Sequence, residues 1–204
     1  MEITALEPRR KSLTAVYIDG EFALKLDTQT LLENRIKIGT VLDDEELKEL
    51  IEKSNTRRAK EKALWLISYR DHSKKELADK IAKSCDRTSA EAAVERMQEL
   101  GLVNDEAYAR RYAQQLFEVK HLSVKGVKYK LIEKGIDRDL IDDILSEFDV
   151  DPKEQIREII DKKYARCLSD EKGKRRAFSG LSRMGFSFGD IKSVIAEYTD
   201  NDEY

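Results

Sequence analysis

One phrase is written twice in the second half of this chain. Val124-Lys125-Gly126, Leu131 and Lys134-Gly135-Ile136 are echoed by Glu171-Lys172-Gly173, Phe178 and Met184-Gly185-Phe186. A looser copy, Ser73, Leu77, Ile81 and Cys85, lies about 50 residues upstream of the first. A helical repeat of this length restricts the fold sharply. One unit cannot bury its apolar face alone, so successive units stack. The expectation is a mainly α chain of tandem three-helix repeats forming an elongated curved body, with a small N-terminal β-hairpin region. The repeats are placed at 55–103, 104–150 and 151–204, after an extension over 1–54.

Helix start and stop signals support this reading. Ser73-Lys74-Lys75-Glu76 and Thr88-Ser89-Ala90-Glu91 have the form of capping boxes. Asp151-Pro152 places proline at a first helical position, and Asp137 and Ser187 are further N-cap residues. Ile136 can staple onto Ile141, and Phe186 onto Ile191. Gly101, Gly135 and Gly185 stand where helices end. Apolar residues recur at helical spacing: Leu77 and Ile81; Ala90, Val94 and Met97; Tyr108, Tyr112 and Leu116; Val124, Val127 and Leu131; Ile141, Ile144 and Phe148; Ile156, Ile160 and Tyr164.

The beginning is different. Val16-Tyr17-Ile18, Asp19-Gly20 and Glu21 to Leu26 read as a hairpin, because Asp-Gly suits the positive φ of a tight turn. Phe22, Leu24 and Leu26 are expected on one half-buried face. Ile3 to Leu6 can add a third strand. A bare hairpin is marginal in water, so it must pack on a short helix over Leu31 to Ile38 and on a helix from Asp44. It can serve as a stabilising cap or as a lobe that binds a partner.

Several functional classes are excluded. No stretch approaches the roughly 20 apolar residues that cross a bilayer, and Met1 to Lys11 lacks an apolar signal core. A cytoplasmic protein with no membrane contact is expected. Cys85 and Cys167 are far apart, as are His72 and His121, so no metal site and no cofactor are expected. No phosphate loop, nucleophile elbow or metalloprotease motif occurs, so the chain is expected not to be an enzyme. The lone Trp65, in the apolar run Ala63 to Ile67, is expected in the core.

Charge is segregated although the net value is only −3. Arg57 to Lys83 holds nine Lys/Arg and four Asp/Glu, and Glu171 to Lys192 holds six and two. Asp137 to Asp151 holds seven acids against the single Arg138. The helix–glycine–helix outline from Val127 to Phe148 resembles a DNA-reading motif. Its second helix would carry Asp137, Asp139, Asp142, Asp143 and Glu147 toward phosphates, which excludes base reading there. A basic stripe can still meet a nucleic-acid backbone or an acidic protein. Its candidates are Arg70, Lys74, Lys75, Arg110, Arg111, Lys125, Lys128, Lys130, Lys174, Arg175 and Arg176. Both signs on one body suit a protein–nucleic-acid assembly better than bare DNA.

These residues together resemble the RecX family of recombinase regulators. Arg70-Asp71-His72-Ser73-Lys74-Lys75-Glu76-Leu77 is similar to its signature of Arg, two residues, Ser or Thr, two residues, then Glu-Leu. Leu100-Gly101-Leu102-Val103-Asn104-Asp105-Glu106-Ala107-Tyr108-Ala109 is similar to its second signature. Gly126, Leu131, Lys134-Gly135-Ile136 and Arg183-Met184-Gly185-Phe186 resemble its repeat ends, and Asp19-Gly20-Glu21-Phe22-Ala23 its N-terminal extension. Asn104 stands where Asp is usual, and Met184 where a basic residue is common. The resemblance implies tandem three-helix repeats that bind the RecA nucleoprotein filament. It implies inhibition of strand exchange, filament growth and the coprotease role of the filament in the SOS response. The alternative is a general nucleic-acid-binding helical repeat module, acting on single- or double-stranded DNA backbone without RecA.

Overall fold

The computed structural model describes residues 1–199. These divide into two compact units, one of residues 1–104 and one from residue 105 onward.

The first unit opens with an antiparallel sheet of β1 (Ile3–Arg9), β2 (Leu13–Ile18) and β3 (Glu21–Asp27), in that order. Asp19 and Gly20 both have positive φ, 51° and 90°, as the tight turn requires. The third strand is present and runs to Arg9. A bulge shifts the register between Val16 and Tyr17, so Leu24 pairs with Val16 but Phe22 pairs with Tyr17. The extra residue reverses which side faces inward. Leu26 is therefore buried, whereas Phe22 is 53% exposed and packs edge-on against Tyr17. This corrects the expectation of one shared face for Phe22, Leu24 and Leu26.

Ile3, Val16 and Leu26 form a core with Leu31, Leu42 and Leu50, so helices do cover the sheet. The short helix α1 spans Thr28–Glu33, not Leu31 to Ile38. Asp27 starts it early: its buried carboxylate accepts from Thr30 N at 2.9 Å and Thr30 Oγ1 at 3.0 Å. Asp27 N in turn donates to Ser54 Oγ on the following helix at 2.8 Å.

That helix, α2 (Asp44–Tyr69), begins at a full capping box of Asp43 and Glu46 and runs unbroken through position 55. Its first half covers the sheet. Its second half packs Ala59, Ala63 and Leu66 against α3 (Lys74–Ile81) and α4 (Arg87–Glu99). Ser73 caps α3, accepting from Glu76 N at 3.2 Å. The cap of α4 is Asp86, which accepts from Ser89 N at 2.8 Å. Thr88 lies inside the helix, so Thr88 to Glu91 is not the box that its letters suggest. An aspartate two residues earlier reaches the open amides first.

The second unit carries α5 (Asp105–Glu118), α6 (Val124–Glu133), α7 (Arg138–Ser146), α8 (Pro152–Lys163), a 3₁₀ turn (Ala165–Cys167), α9 (Glu171–Arg183) and α10 (Phe188–Thr199). Tyr108, Leu116, Val127, Leu131, Ile141 and Ile144 build one core, and Ile156, Ile160, Leu181, Ile191 and Val194 another. Val124 departs from its expected face: it opens α6 and is 37% exposed. Ile136 and Ile141 share one core, and Phe186 and Ile191 the other, as stapling requires.

The two three-helix sets are built alike. Asp137 caps α7, and Ser187 accepts from Asp190 N at the start of α10. At Gly135, the Gly135 and Ile136 amides reach back to Ile132 O and Leu131 O; at Gly185 the same pair of bonds recurs. A forked ion pair also recurs between the first and third helix. Arg110 donates to Glu147 at 3.2 and 2.6 Å, and Arg157 to Glu197 at 2.9 and 3.1 Å. Repetition of core, turn and fork supports duplication more firmly than the sequence phrase does.

Candidate functional site

The eleven candidate cations do not form one surface of equal character. Arg70 meets Glu76 at 2.5 Å, and Arg110 holds both Glu106 and Glu147. Lys128 pairs with Asp142 of α7, Lys130 lies 2.7 Å from Glu133, and Lys174 lies 3.3 Å from Glu171. Lys74 sits half-buried on the first turn of α3, and Arg111 is exposed on α5. Lys75, Lys125, Arg175 and Arg176 make no ion pair among the described residues. The acidic α7 and its C-cap therefore neutralise their own repeat: Asp142 holds Lys128 of α6, and Glu147 holds Arg110 of α5. Exposed pairs of this kind contribute little stability, but they lower the charge offered to a partner.

Helix α9 is the contrasting case. Its exposed residues are Glu171, Lys172, Arg175, Arg176, Ser179, Ser182 and Arg183. Spacing of three and four places Lys172, Arg175, Arg176, Ser179 and Arg183 along one outward stripe. Lys172 and Arg183 join Arg175 and Arg176 in making no ion pair among the described residues. Ala177, Gly180 and Leu181 face the core. Lys172 and Arg183 were not among the sequence candidates. The helical spacing of the four cations was the signal that could have found them.

At the start of α6 the backbone of the two sets comes together. Ser123 N donates to Met184 O at 3.0 Å. A side-chain carbon on Gly126 would stand 2.4 Å from that same carbonyl, and one on Gly185 2.6 Å from Ser123 Oγ. The absence of side chains at Gly126 and Gly185 is what brings Lys125 of one set beside Arg183 of the next. The basic side chain expected at position 184 is replaced by a methionine that packs partly into the core.

The signature around Arg70 is structural. Ser73 caps, Leu77 is fully buried, and Glu76 receives Arg70. His72 is 4% exposed, with Nδ1 lying 3.5 Å from Glu76 Oε2 without hydrogen-bond geometry. Burial first, then the charges of Arg70 and Lys80, hold its pKa below the ordinary 6.5, outweighing Glu76. A lowered folded-state value favours neutral imidazole. Its contribution is therefore complete above pH 6.5 and is lost on acidification from there toward the folded-state pKa. The melting temperature is expected to fall as pH drops below 6.5, and His72→Gln to flatten that fall. An unchanged slope in the variant contradicts this role.

Trp65 is not core. It is 50% exposed on α2, with Tyr69 4.7 Å away and Lys62 Nζ 4.0 Å above the indole. A run of five apolar residues in a helix spans both faces at about 100° per residue. Ala63 and Leu66 point inward, and Leu64 and Trp65 outward. Cys85 and Cys167 are half-buried rather than enclosed, and Cys167 Sγ donates to Tyr164 O at 3.1 Å. Among the described residues no three His, Cys, Asp or Glu side chains cluster to hold a metal ion. No described helix is long and apolar enough to cross a membrane.

Fold and surface together define a tandem three-helix-repeat protein with a basic outward face on α9. Residues 59–97 match the first three-helix domain of RecX, and residues 104–145 match the second. The chain is 31% identical to the regulatory protein RecX of Clostridium acetobutylicum, over 96% of this chain and 95% of that one. It is 28% identical to that of Clostridioides difficile, over 99% and 98%. A solved crystal structure of a regulatory protein RecX superposes with a TM-score of 0.60, covering 95% of this chain and 98% of that chain at 22% identity. RecX from Lactobacillus salivarius covers 71% of this chain and 97% of its own at a TM-score of 0.56 and 24% identity. The chain belongs to the RecX family.

Proposed function

We propose that this protein is a non-catalytic cytoplasmic regulator that binds the RecA–DNA filament and restrains its recombinase and coprotease activities. Family membership supports the choice of partner. The observation that carries the mode of binding is the outward stripe of Lys172, Arg175, Arg176 and Arg183 on α9, which no carboxylate of the described chain neutralises. A filament of protein wound on a polyanion offers phosphates and acidic side chains in register, and a basic helix face is steered to both. The acidic α7 and the region from Asp43 to Glu52 repel naked duplex, which favours an assembly over bare DNA. The signature residues act through the fold, as caps and core, and carry no chemistry of their own.

The test is strand exchange and DNA-dependent ATP hydrolysis by RecA with the purified full chain added. Both are expected to slow, and more strongly at low than at high salt. Unchanged rates, together with no co-sedimentation with the filament at low salt, contradict the reading. Equal binding to DNA with and without RecA would instead favour a general nucleic-acid module.

A further inference from the structure

A cavity of about 370 Å³ opens where α6 meets the turn between α9 and α10. Its wall carries Lys125, Tyr129 and Lys130 from one three-helix set and Arg183 and Phe186 from the next, along with Gly126 and Gly185. No carboxylate lines it. Lys125 and Arg183 make no ion pair among the described residues, and Lys130 is shared with Glu133 outside the cavity. The Tyr129 ring, at the rim, is 61% exposed, and Lys130 Nζ lies 5.7 Å from its centroid.

We infer that this cavity binds single-stranded nucleic acid, seating a backbone phosphate between Lys125 and Arg183 and stacking an adjacent base on Tyr129. Two cations without an ion pair, Lys125 and Arg183, on a hollow that no carboxylate lines select an anion. The fork of Arg183 and the point charge of Lys125 suit phosphate oxygens. An exposed ring beside a phosphate seat is the arrangement that unstacked bases use, whatever their identity. A duplex hides its base faces, so the ring selects single strands. The volume admits a phosphate and part of a sugar, and the base lies outside on the ring. Two of its lining residues are glycines, and a side chain at either would clash with Met184 O or with Ser123 and the Gly126 backbone and force the segments apart. The site thus exists only where two repeats meet. It deepens the filament reading by giving that contact a nucleic-acid component, and rests on that reading for its biological setting only.

Binding of a fluorescein-labelled oligothymidylate to the full chain, followed by anisotropy across salt, tests it. Lys125→Ala with Arg183→Ala is expected to weaken binding at least about tenfold, as loss of two charge-assisted contacts does. The slope of log K against log salt should shrink by about 0.7, the share of the one phosphate seated there. Tyr129→Ala should weaken binding at least about fivefold. Lys125→Arg with Arg183→Lys should restore affinity, and Arg10→Ala with Lys11→Ala, in the exposed β1–β2 turn, should change nothing. All these positions are exposed, and unchanged circular dichroism melts confirm folding. A wild-type chain that fails to bind at low salt overturns the proposal. So does a Lys125/Arg183 double variant with wild-type affinity and slope. Duplex bound as tightly as single strand, with Tyr129→Ala silent, overturns the single-strand assignment. Strand exchange run in parallel separates the readings: wild-type protein that binds the oligonucleotide through this cavity but leaves RecA untouched sinks the filament reading alone.

Discussion

Reversal of Lys172, Arg175 and Arg176 to glutamate is expected to raise the concentration needed to half-inhibit RecA strand exchange by about tenfold or more. These side chains point away from the core and make no ion pair among the described residues, so the melting temperature should stay within a few degrees. If the three contact phosphates of a single strand, wild-type affinity falls about 20-fold more steeply between 50 and 200 mM salt than that of the variant. Replacement of both Lys128 and Asp142 by alanine makes the comparison. That pair is already neutral, so its removal leaves the net charge offered to a partner unchanged. A filament contact centred on α6 and α7 would give the opposite order of effects.

Valine at Gly126 or at Gly173 is expected to destabilise the protein by about 2 kcal/mol or more, since overpacking against immovable atoms commonly costs about 1–3 kcal/mol. Both glycines hold the third position of their helices, after Ser123 and Asp170. A first side-chain carbon would stand 2.4 Å from Met184 O in one case and 1.5 Å from Cys167 O in the other. Backbone carbonyls cannot swing aside as a flexible side chain can. Gly189→Ala is the contrast. Its new carbon meets only Ser187 Oγ at 3.9 Å, and α10 should gain a few tenths to about 1 kcal/mol from the lost chain freedom. Thermal melts of the three variants check the order. Gly126→Val also parts Lys125 from Arg183, so its loss of oligonucleotide binding should exceed what its stability explains.

The repeat was legible because it is written in local chemistry. Caps, terminal glycines and apolar spacing act within a turn or two, and Ser73, Asp137, Gly135 and Gly185 were read correctly from that range alone. Misreadings came where a second local option competed. Asp86 preceded Thr88, Asp27 preceded Leu31, and one bulge residue turned Phe22 outward. Trp65 was misplaced because an uninterrupted apolar run does not say which of its members faces in. Family membership was legible in the order of weak motifs, which is a property of the whole chain. The site was legible only as a list of cations. Which of them are neutralised depends on contacts such as Arg110 to Glu147 and Lys128 to Asp142, between residues far apart in sequence. The cavity at Lys125 and Arg183 depends on two glycines of different repeats approaching each other. Neither kind of fact has a spacing that sequence can show.

In the proposed function, basic faces of the second unit meet a RecA–DNA filament. Amide hydrogen exchange of the full chain with and without that filament tests it most directly. Protection confined to α9 and the start of α6, with α7 and the β-sheet unchanged, is the result this account predicts. Protection of α7 or the sheet with α9 unaffected, or no protection at a filament concentration that saturates strand exchange, would contradict it.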